Sequence, residues 1–269
     1  SDLSKIDHNE EKGLHYAYPI LPSSAEALDP VEGSTMHSIT AKRDVLRCGI
    51  LERIGFGEKE VAGVSMTNNE GGDNYSRRNN STITRSWNGM DADYCYALSA
   101  SLFQGNKSKV KFIQLPSPED AFQALESGEV DVLAGGEVTL ENDVKGFTFS
   151  IPYYYSPERS TVSNLSYRKL PKGAIAMVTR EDDMQWSDFV FWVVAAPFIA
   201  EGKNITQAES QDMVDVPGFG KTYVNTHRHA IGAVGNYDEI YKRSLETLLP
   251  RGGKNLLNTN PLPHHFSFF

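Results

Sequence analysis

The sequence predicts an α/β fold, a single lobe in which a mostly parallel sheet is flanked by helices, preceded by an extended N-terminal arm. Three short apolar segments, residues 45–50, 109–115 and 130–134, have the composition of buried strands. Between consecutive strands lies a segment whose apolar residues have the spacing of a helix. The order strand, helix, strand, helix, strand, with short connections, implies parallel strands and right-handed crossovers. With 269 residues, 39% of them hydrophobic, the chain can bury such a core.

The first 43 residues contain three prolines and show no sustained hydrophobic period. Residues 1–43 are therefore predicted to form an extended arm, and residues 44–269 the α/β domain. Tyr16 and Tyr18 in the arm could contact a partner or lie on the arm's own domain. Within the domain, the polar residues 58–86 predict a surface loop of unusual length.

Helix signals follow the first strand. Ser117 before Pro118 is a strong helix start, with Ser at the N-cap and Pro in the first turn. Pro197 should kink or end the long apolar helix, because proline removes a backbone donor and clashes with the preceding turn. The other predicted segments are helices at 91–104, 184–200, 222–234 and 238–249, an aromatic strand or hinge at 149–155, and a strand at 174–178.

Charge and hydropathy exclude two classes of partner. The formal net charge is −9, and Lys and Arg do not cluster, which argues against nucleic acid because phosphate binding needs grouped cations. The longest apolar run, residues 189–200, is too short to cross a bilayer, so no transmembrane segment is predicted.

The expected location is an exported compartment: extracellular, periplasmic or an organelle lumen. No signal peptide is visible, so either a presequence has been removed or the chain is cytosolic. Six Asn-x-Ser/Thr sequons favour export, although polar loops rich in Asn and Ser would also produce them. The candidate glycosylation sites are Asn74, Asn79, Asn80, Asn106, Asn164 and Asn204.

No catalytic or metal motif stands out, and no cofactor or metal is predicted. His227 and His229 flank an arginine, but residues two apart on a helix point away from each other. The Gly-x-Ser-x-Gly elbow of serine hydrolases is missing. Gly135 and Gly136 follow the third strand, where open sheets bind ligands. This glycine pair is a weak signal for an anion-binding loop.

Six blocks of sequence occur in an order that resembles the family 3 solute-binding proteins of amino-acid ABC transporters. The nearest subgroup is that of the general (polar) L-amino-acid-binding proteins. The tail from Pro250 also fits that pattern. The blocks are residues 46–49, 87–95, 108–112, 124–133, 185–188 and 233–240.

The resemblance implies two lobes that close on an amino acid, whose carboxylate meets an arginine in a Thr-x-x-Arg pattern after the third strand. Here Thr139 is kept, but Asn142 stands where the arginine should be. Loss of a charge-assisted Arg pair, worth about 1.5–3 kcal/mol, would cost at least tenfold in affinity. Glu137 and Glu141 add charge of the wrong sign. Gly135, Gly136, Glu137, Thr139 and Asn142 are therefore predicted to form a vestigial ligand site.

Most of the second lobe is missing. Only residues 156–185 separate the aromatic hinge from the returning helix. At roughly 3.3 Å per residue they can make a β-ribbon but not a helix-covered lobe. Residues 156–183 are thus interpreted as a remnant. Tyr153, Tyr154 and Tyr155 would lie on a face left open to a partner, or covered by the insertion 58–86.

The resemblance also bears on the two cysteines, because the subgroup often carries both. A disulfide between Cys48 and Cys95 would stabilise the fold by roughly 4 kcal/mol. The alternative is two buried free thiols.

Together these observations predict a non-enzymatic domain that has lost amino-acid binding and serves as a structural or accessory subunit of an extracellular or lumenal assembly. Its partners would be other protein subunits. One alternative is a receptor for a small solute. Another is an enzyme derived from this fold, with Glu137 as its acid.

Overall fold

The fold is given by a computed structural model that describes residues 30–66, 81–157 and 170–256. Its strands are β1 (Leu46–Leu51), β2 (Glu58–Met66), β3 (Ser81–Asn88), β4 (Val110–Leu115), β5 (Val132–Glu137), β6 (Phe147–Phe149), β7 (Tyr154–Tyr155) and β8 (Ala174–Arg180). Its α-helices are α1 (Thr35–His37), α2 (Met90–Leu102), α3 (Pro118–Glu126), α4 (Leu140–Asp143), α5 (Met184–Gly202), α6 (Gly220–Tyr223), α7 (Thr226–Val234) and α8 (Tyr237–Ser244).

The central sheet has the strand order β4-β1-β5-β8-β6, and β7 pairs with the start of β8. β1 lies parallel to β4 and to β5, whereas β8 runs antiparallel to β5, β6 and β7. The single reversed strand leaves the sheet mostly parallel. The predicted α/β fold with a mostly parallel sheet is therefore confirmed.

Helices cover both faces of the sheet. Val132 and Ala134 of β5 face the larger core, which α2, α5, α7 and α8 share, whereas Leu133 between them faces the smaller core under α3. Alternation along a strand sends neighbouring side chains to opposite faces. The uninterrupted apolar sequence of β5 follows from this burial on both sides.

The two strongest helix signals differ in outcome. As predicted, Ser117 caps α3, and its hydroxyl accepts a hydrogen bond from the Asp120 amide at 3.1 Å. Pro197, however, does not end α5, which continues to Gly202. Most of this helix is buried, and tertiary packing of this kind offsets the loss of one backbone hydrogen bond.

The disulfide is present. Cys48 in β1 and Cys95 in α2 are bonded to each other, and both lie wholly within the core. The bond joins β1, an inner strand of the sheet, to the helix packed on it, and the alternative of two free thiols is wrong.

The end of the predicted arm belongs to the domain. A π-helical turn, Ser38–Arg43, continues α1, and both Met36 and Ile39 are buried in the larger core. The Asp183 carboxylate accepts a hydrogen bond from the Thr35 amide at 2.6 Å. Residues 35–43 are thus packed on the domain rather than extended, and two apolar positions on one short helical segment are too few to show a period in the sequence. Residues 1–29, with Tyr16 and Tyr18, lie outside the described residues.

The predicted loop 58–86 is bounded by structure at both ends. β2 and β3 form a separate two-stranded antiparallel ribbon, with Glu58 opposite Asn88 and a bulge between Val61 and Val64. The intervening residues 67–80 fall outside the description, and three of the sequons fall there too: Asn74, Asn79 and Asn80. Near the C-terminus, the helix predicted at 222–234 is two helices, α6 and α7, and α8 ends five residues before the predicted 249.

Candidate functional site

A groove of about 830 Å³ opens at the carboxyl ends of β1 and β5, between α3 and the short helix α4. All five residues predicted for the vestigial ligand site line it: Gly135, Gly136, Glu137, Thr139 and Asn142. Parallel strands end at the same edge of a sheet, which explains why these residues and the start of α3 converge. The floor is apolar, formed by Leu51, Phe122, Leu133, Phe147 and Ile175.

Two polar side chains of the predicted site, those of Thr139 and Asn142, are bonded to their own chain. The Thr139 hydroxyl caps α4 by accepting a hydrogen bond from the Asn142 amide at 3.2 Å. The Asn142 side-chain amide donates to the Glu137 carbonyl, also at 3.2 Å. Both polar groups therefore stabilise the turn after β5, and Asn142 brings no positive charge to the groove.

A closed ring of hydrogen bonds surrounds the Gly135 peptide at the base of the groove. The Gly135 amide donates to the Tyr153 hydroxyl at 2.7 Å, and that hydroxyl donates to Asp91 at 2.6 Å. Arg53 Nη2 donates both to the other Asp91 oxygen at 3.2 Å and to the Gly135 carbonyl at 2.5 Å. The ring explains how the sheet edge, the start of α2 and the loop after β1 are held together.

The ring also sets its own protonation. Burial raises the pKa of Asp91, while Arg53 and the Tyr153 hydrogen bond act in the opposite direction. Burial and the neighbouring Asp91 carboxylate raise the pKa of Tyr153, so its hydroxyl keeps the proton that it donates. Arg53 supplies the one positive charge in this ring, and that charge is directed at Asp91.

Gly135 has to be glycine at this place. Its φ of +77° lies in the left-handed region, and a Cβ there would collide with the Arg53 guanidinium and the Asp91 carboxylate. The ring of hydrogen bonds is therefore one physical reason for the glycine that the sequence has at this position.

Arg53 and Asp91 are two residues of this ring that the sequence patterns did not single out as site residues. An arginine two residues beyond a buried strand is itself a signal, because charged residues at that position point to the sheet edge where polar sites form. The acid partner on α2 is distant in sequence, so only the fold reveals the pair.

The rim of the groove is acidic. Glu119 and Glu126 on α3 and Glu137 at the end of β5 line it, and all three are exposed. Glu141 also lines it, but forms an ion pair with Lys145 at 2.7 Å. The excess of carboxylates is unfavourable for an anionic ligand.

The predicted open tyrosine face is wrong for two of its three members. Tyr153 and Tyr154 are fully buried, the first packed on Tyr94 with ring centroids 4.3 Å apart, the second against Phe56 at 4.9 Å. Since β7 pairs with β8, the chain returns at once to the sheet, and the hinge tyrosines become part of the core. Tyr155 is half-buried.

The C-terminal segment is attached to this hinge. The Asn255 side chain forms two hydrogen bonds with the Tyr155 backbone: it accepts from the amide at 2.7 Å and donates to the carbonyl at 2.8 Å. The Ser156 amide also donates to the Gly173 carbonyl at 2.8 Å, which continues the pairing of β7 with β8. These bonds hold the hinge segment at Tyr155 beside the start of β8 and the C-terminal segment at Asn255. Residues 158–169 of the predicted lobe remnant, with Asn164, are not described, whereas residues 174–180 form β8 of the main sheet.

Other predicted sites are distributed over the surface. Asn106 and Asn204 are exposed, as a glycosylation site requires. His227 is buried on α7. In residues 30–66, 81–157 and 170–256, no group of three or more His, Cys, Asp and Glu residues could hold a metal ion. Over the same ranges, no helix is long and apolar enough to cross a membrane.

Comparison with known proteins defines the class. No protein-family model matches the chain. Over 71 residues it is 39% identical to the general L-amino acid-binding periplasmic protein AapJ of Rhizobium johnstonii, a match that covers 26% of this chain and 20% of that protein. Among solved structures, an ABC transporter periplasmic binding protein from Brucella ovis with glutathione bound is similar, with a TM-score of 0.59 and 20% identity. The likeness covers 82% of this chain and 94% of that one.

The protein thus has a periplasmic-binding-protein-like fold. Within that class, its resemblance to the family 3 amino-acid solute-binding proteins is confirmed. The chain spans about a fifth of the length of the curated relative that it matches. These relatives are named as binding proteins rather than enzymes.

Proposed function

We propose that this domain has lost the binding of free amino acids and serves as a non-enzymatic, structural or accessory subunit of a larger exported assembly. The observation that carries the proposal is the bonding of Asn142, which stands where the resembling family has its arginine. Its side chain is neutral and donates to the Glu137 carbonyl rather than toward the groove.

Electrostatics supports the loss of binding. A ligand carboxylate entering the groove would meet Glu119, Glu126 and Glu137, with Arg53 already paired to Asp91. Turning Arg53 toward a ligand would leave Asp91 buried without its cation. Removing one partner of a buried ion pair costs about 3–5 kcal/mol, more than the ligand contact would return.

The hinge supports the same proposal. Binding by closure needs two lobes that move about flexible crossings. Here β7 and β8 pair directly, and Asn255 bonds the Tyr155 backbone on both sides. Such crossings favour a rigid single lobe, which suits a subunit of an assembly better than a receptor that opens and closes.

A small-solute receptor is the second candidate function. The groove volume favours it, because about 830 Å³ lies within the range of ligand pockets, roughly 300–1,000 Å³. Its ligand would not be a standard α-amino acid, given the acidic rim.

Calorimetry separates these functions. Titration with the twenty amino acids is expected to give no binding heat, and a micromolar dissociation constant for any of them would overturn the proposed loss. Asn142→Arg restores the missing cation and is the informative variant, and its charge-matched control is Asn106→Arg, at an exposed position after α2 that is not part of the groove lining. The native mass of the endogenous protein tests the assembly role, which a strictly monomeric species would contradict.

A further inference from the structure

The segment at the mouth of the groove has an unusual surface. In the described residues, six large apolar side chains are exposed, and three of them occur within positions 138–144. Leu140 is 78% exposed, Val144 72% and Val138 37%. Single exposed apolar residues are common on proteins, but a group on one short segment beside a groove marks a contact surface.

Val138, Leu140 and Val144 lie beside the groove lining, and the groove itself has an apolar floor. Phe122 and Phe147 pack together on the floor with ring centroids 4.9 Å apart, and Leu51, Leu133 and Ile175 lie beside them. A small molecule held on this floor would leave Leu140 and Val144 in water. A partner with an extended surface could cover the floor and the rim together, so the distribution of apolar area favours a macromolecule.

The charges around this surface indicate which sign of charge a partner would carry. Glu119, Glu126 and Glu137 line the groove and make no ion pair among the described residues. Lys145 is neutralised by Glu141, and Arg53 by Asp91. Lys172 is the remaining cation of the lining, so the local field is negative and complements Lys or Arg on a partner.

We infer that the groove and the rim residues Val138, Leu140 and Val144 bind a segment of a partner protein in which apolar side chains are flanked by Lys or Arg. The inference rests on the proposed role as an assembly subunit and names the surface and the chemistry of that contact. The apolar side chains supply most of the affinity, because exposed ion pairs contribute little. The charges supply selectivity and association rate.

Three synthetic peptides of equal length test the chemistry by fluorescence anisotropy: alternating Leu-Lys, alternating Leu-Glu, and alternating Gly-Lys. The Leu-Lys peptide is expected to bind at least tenfold more tightly than either of the others, and more weakly as salt is raised. Equal binding of the Leu-Glu peptide would overturn the charge argument, and equal binding of the Gly-Lys peptide would overturn the apolar one. No binding of any peptide would overturn the inference.

Variants locate the contact. The double change Leu140→Ser with Val144→Ser should weaken Leu-Lys binding about tenfold or more, and Glu137→Gln should weaken it about twofold to threefold. Met184→Ser is the matched control, because Met184 is an exposed apolar residue outside the groove. An equal loss in the control would mean nonspecific adsorption, and an unchanged affinity in the double variant would place binding elsewhere. Either result overturns the inference.

The endogenous complex separates this inference from the proposed function. If a large native complex survives the Leu140→Ser/Val144→Ser change, the assembly role stands and this surface assignment is wrong. A symmetric dimer of this chain, detected by native mass and lost in the double variant, would identify the occupant as a second copy and overturn the basic partner. A strictly monomeric endogenous protein would remove the assembly role and the partner together.

Discussion

The Tyr153 hydroxyl donates a hydrogen bond to the buried Asp91 carboxylate at 2.6 Å, while it accepts one from the Gly135 amide at 2.7 Å. This contact connects the hinge, the first turn of α2 and the carboxyl end of β5. The sequence suggested Tyr153 as a contact with a partner. In the fold it lies instead at the centre of the domain's own network of polar groups.

Removing this hydroxyl should destabilise the fold. We expect Tyr153→Phe to lower the free energy of unfolding by about 1–3 kcal/mol, because Asp91 and the Gly135 amide both lose a buried partner. Urea unfolding measures this. Tyr155→Phe is the control, since Tyr155 is half-buried, and it should change stability far less. Equal losses in the two variants would contradict the role of the ring of hydrogen bonds.

The disulfide should contribute a large part of the stability. Replacing Cys48 and Cys95 together by Ala is expected to lower the free energy of unfolding by roughly 4 kcal/mol, because the bond restricts the unfolded chain. Reduction of the wild-type protein should produce a similar loss and leave the double variant unchanged. Two free thiols in the denatured, unreduced protein would disprove the bond.

His227 predicts a dependence of stability on pH. Burial lowers the pKa of this imidazole to about 4 from its ordinary 6.5. Between these values the unfolded chain binds the proton more tightly, so stability is fully present above pH 6.5 and is lost as the pH falls toward 4. The loss is about 3 kcal/mol. His227→Gln should flatten this part of the profile.

Asp93 has the opposite effect on the pH dependence of stability, so the contribution of His227 has to be measured as a difference. Burial raises the pKa of Asp93 to about 6, although Arg243 beside it acts in the opposite direction. The folded state therefore binds this proton more tightly, and stability falls as the pH rises from about 4 to 6. The His227 contribution is read as the difference between wild type and His227→Gln at each pH. A pH-independent difference would contradict it.

The bond between the C-terminal segment and the hinge can be tested locally. Asn255→Ala removes two hydrogen bonds to the Tyr155 backbone, at about 0.5–1.5 kcal/mol each. Amide hydrogen exchange at Tyr155 should become faster, whereas exchange in β1 should change only by the global loss of stability. Lys221→Ala, at an exposed lysine on α6, is the control. Unchanged exchange at Tyr155 would show that the pairing of β7 with β8 holds the hinge without Asn255.

The sequence by itself determined the strands β1, β4 and β5 and the start of α3, because these depend on local patterns of apolar residues and on capping side chains. It also located Gly135, Thr139 and Asn142 together after the third strand. Local order is enough for such features, because neighbouring residues in the chain remain neighbours in the fold.

Only the tertiary structure decided what those residues do. Arg53, Asp91 and Tyr153 are far apart in the chain and meet where two strands end. Only there do a left-handed glycine, a buried carboxylate and a guanidinium satisfy one another. The same holds for Tyr154 and for Met36, whose burial depends on the return of β8 and on the packing of the first helical turn. Burial and ion pairing are properties of the assembled core, and no local pattern specifies them.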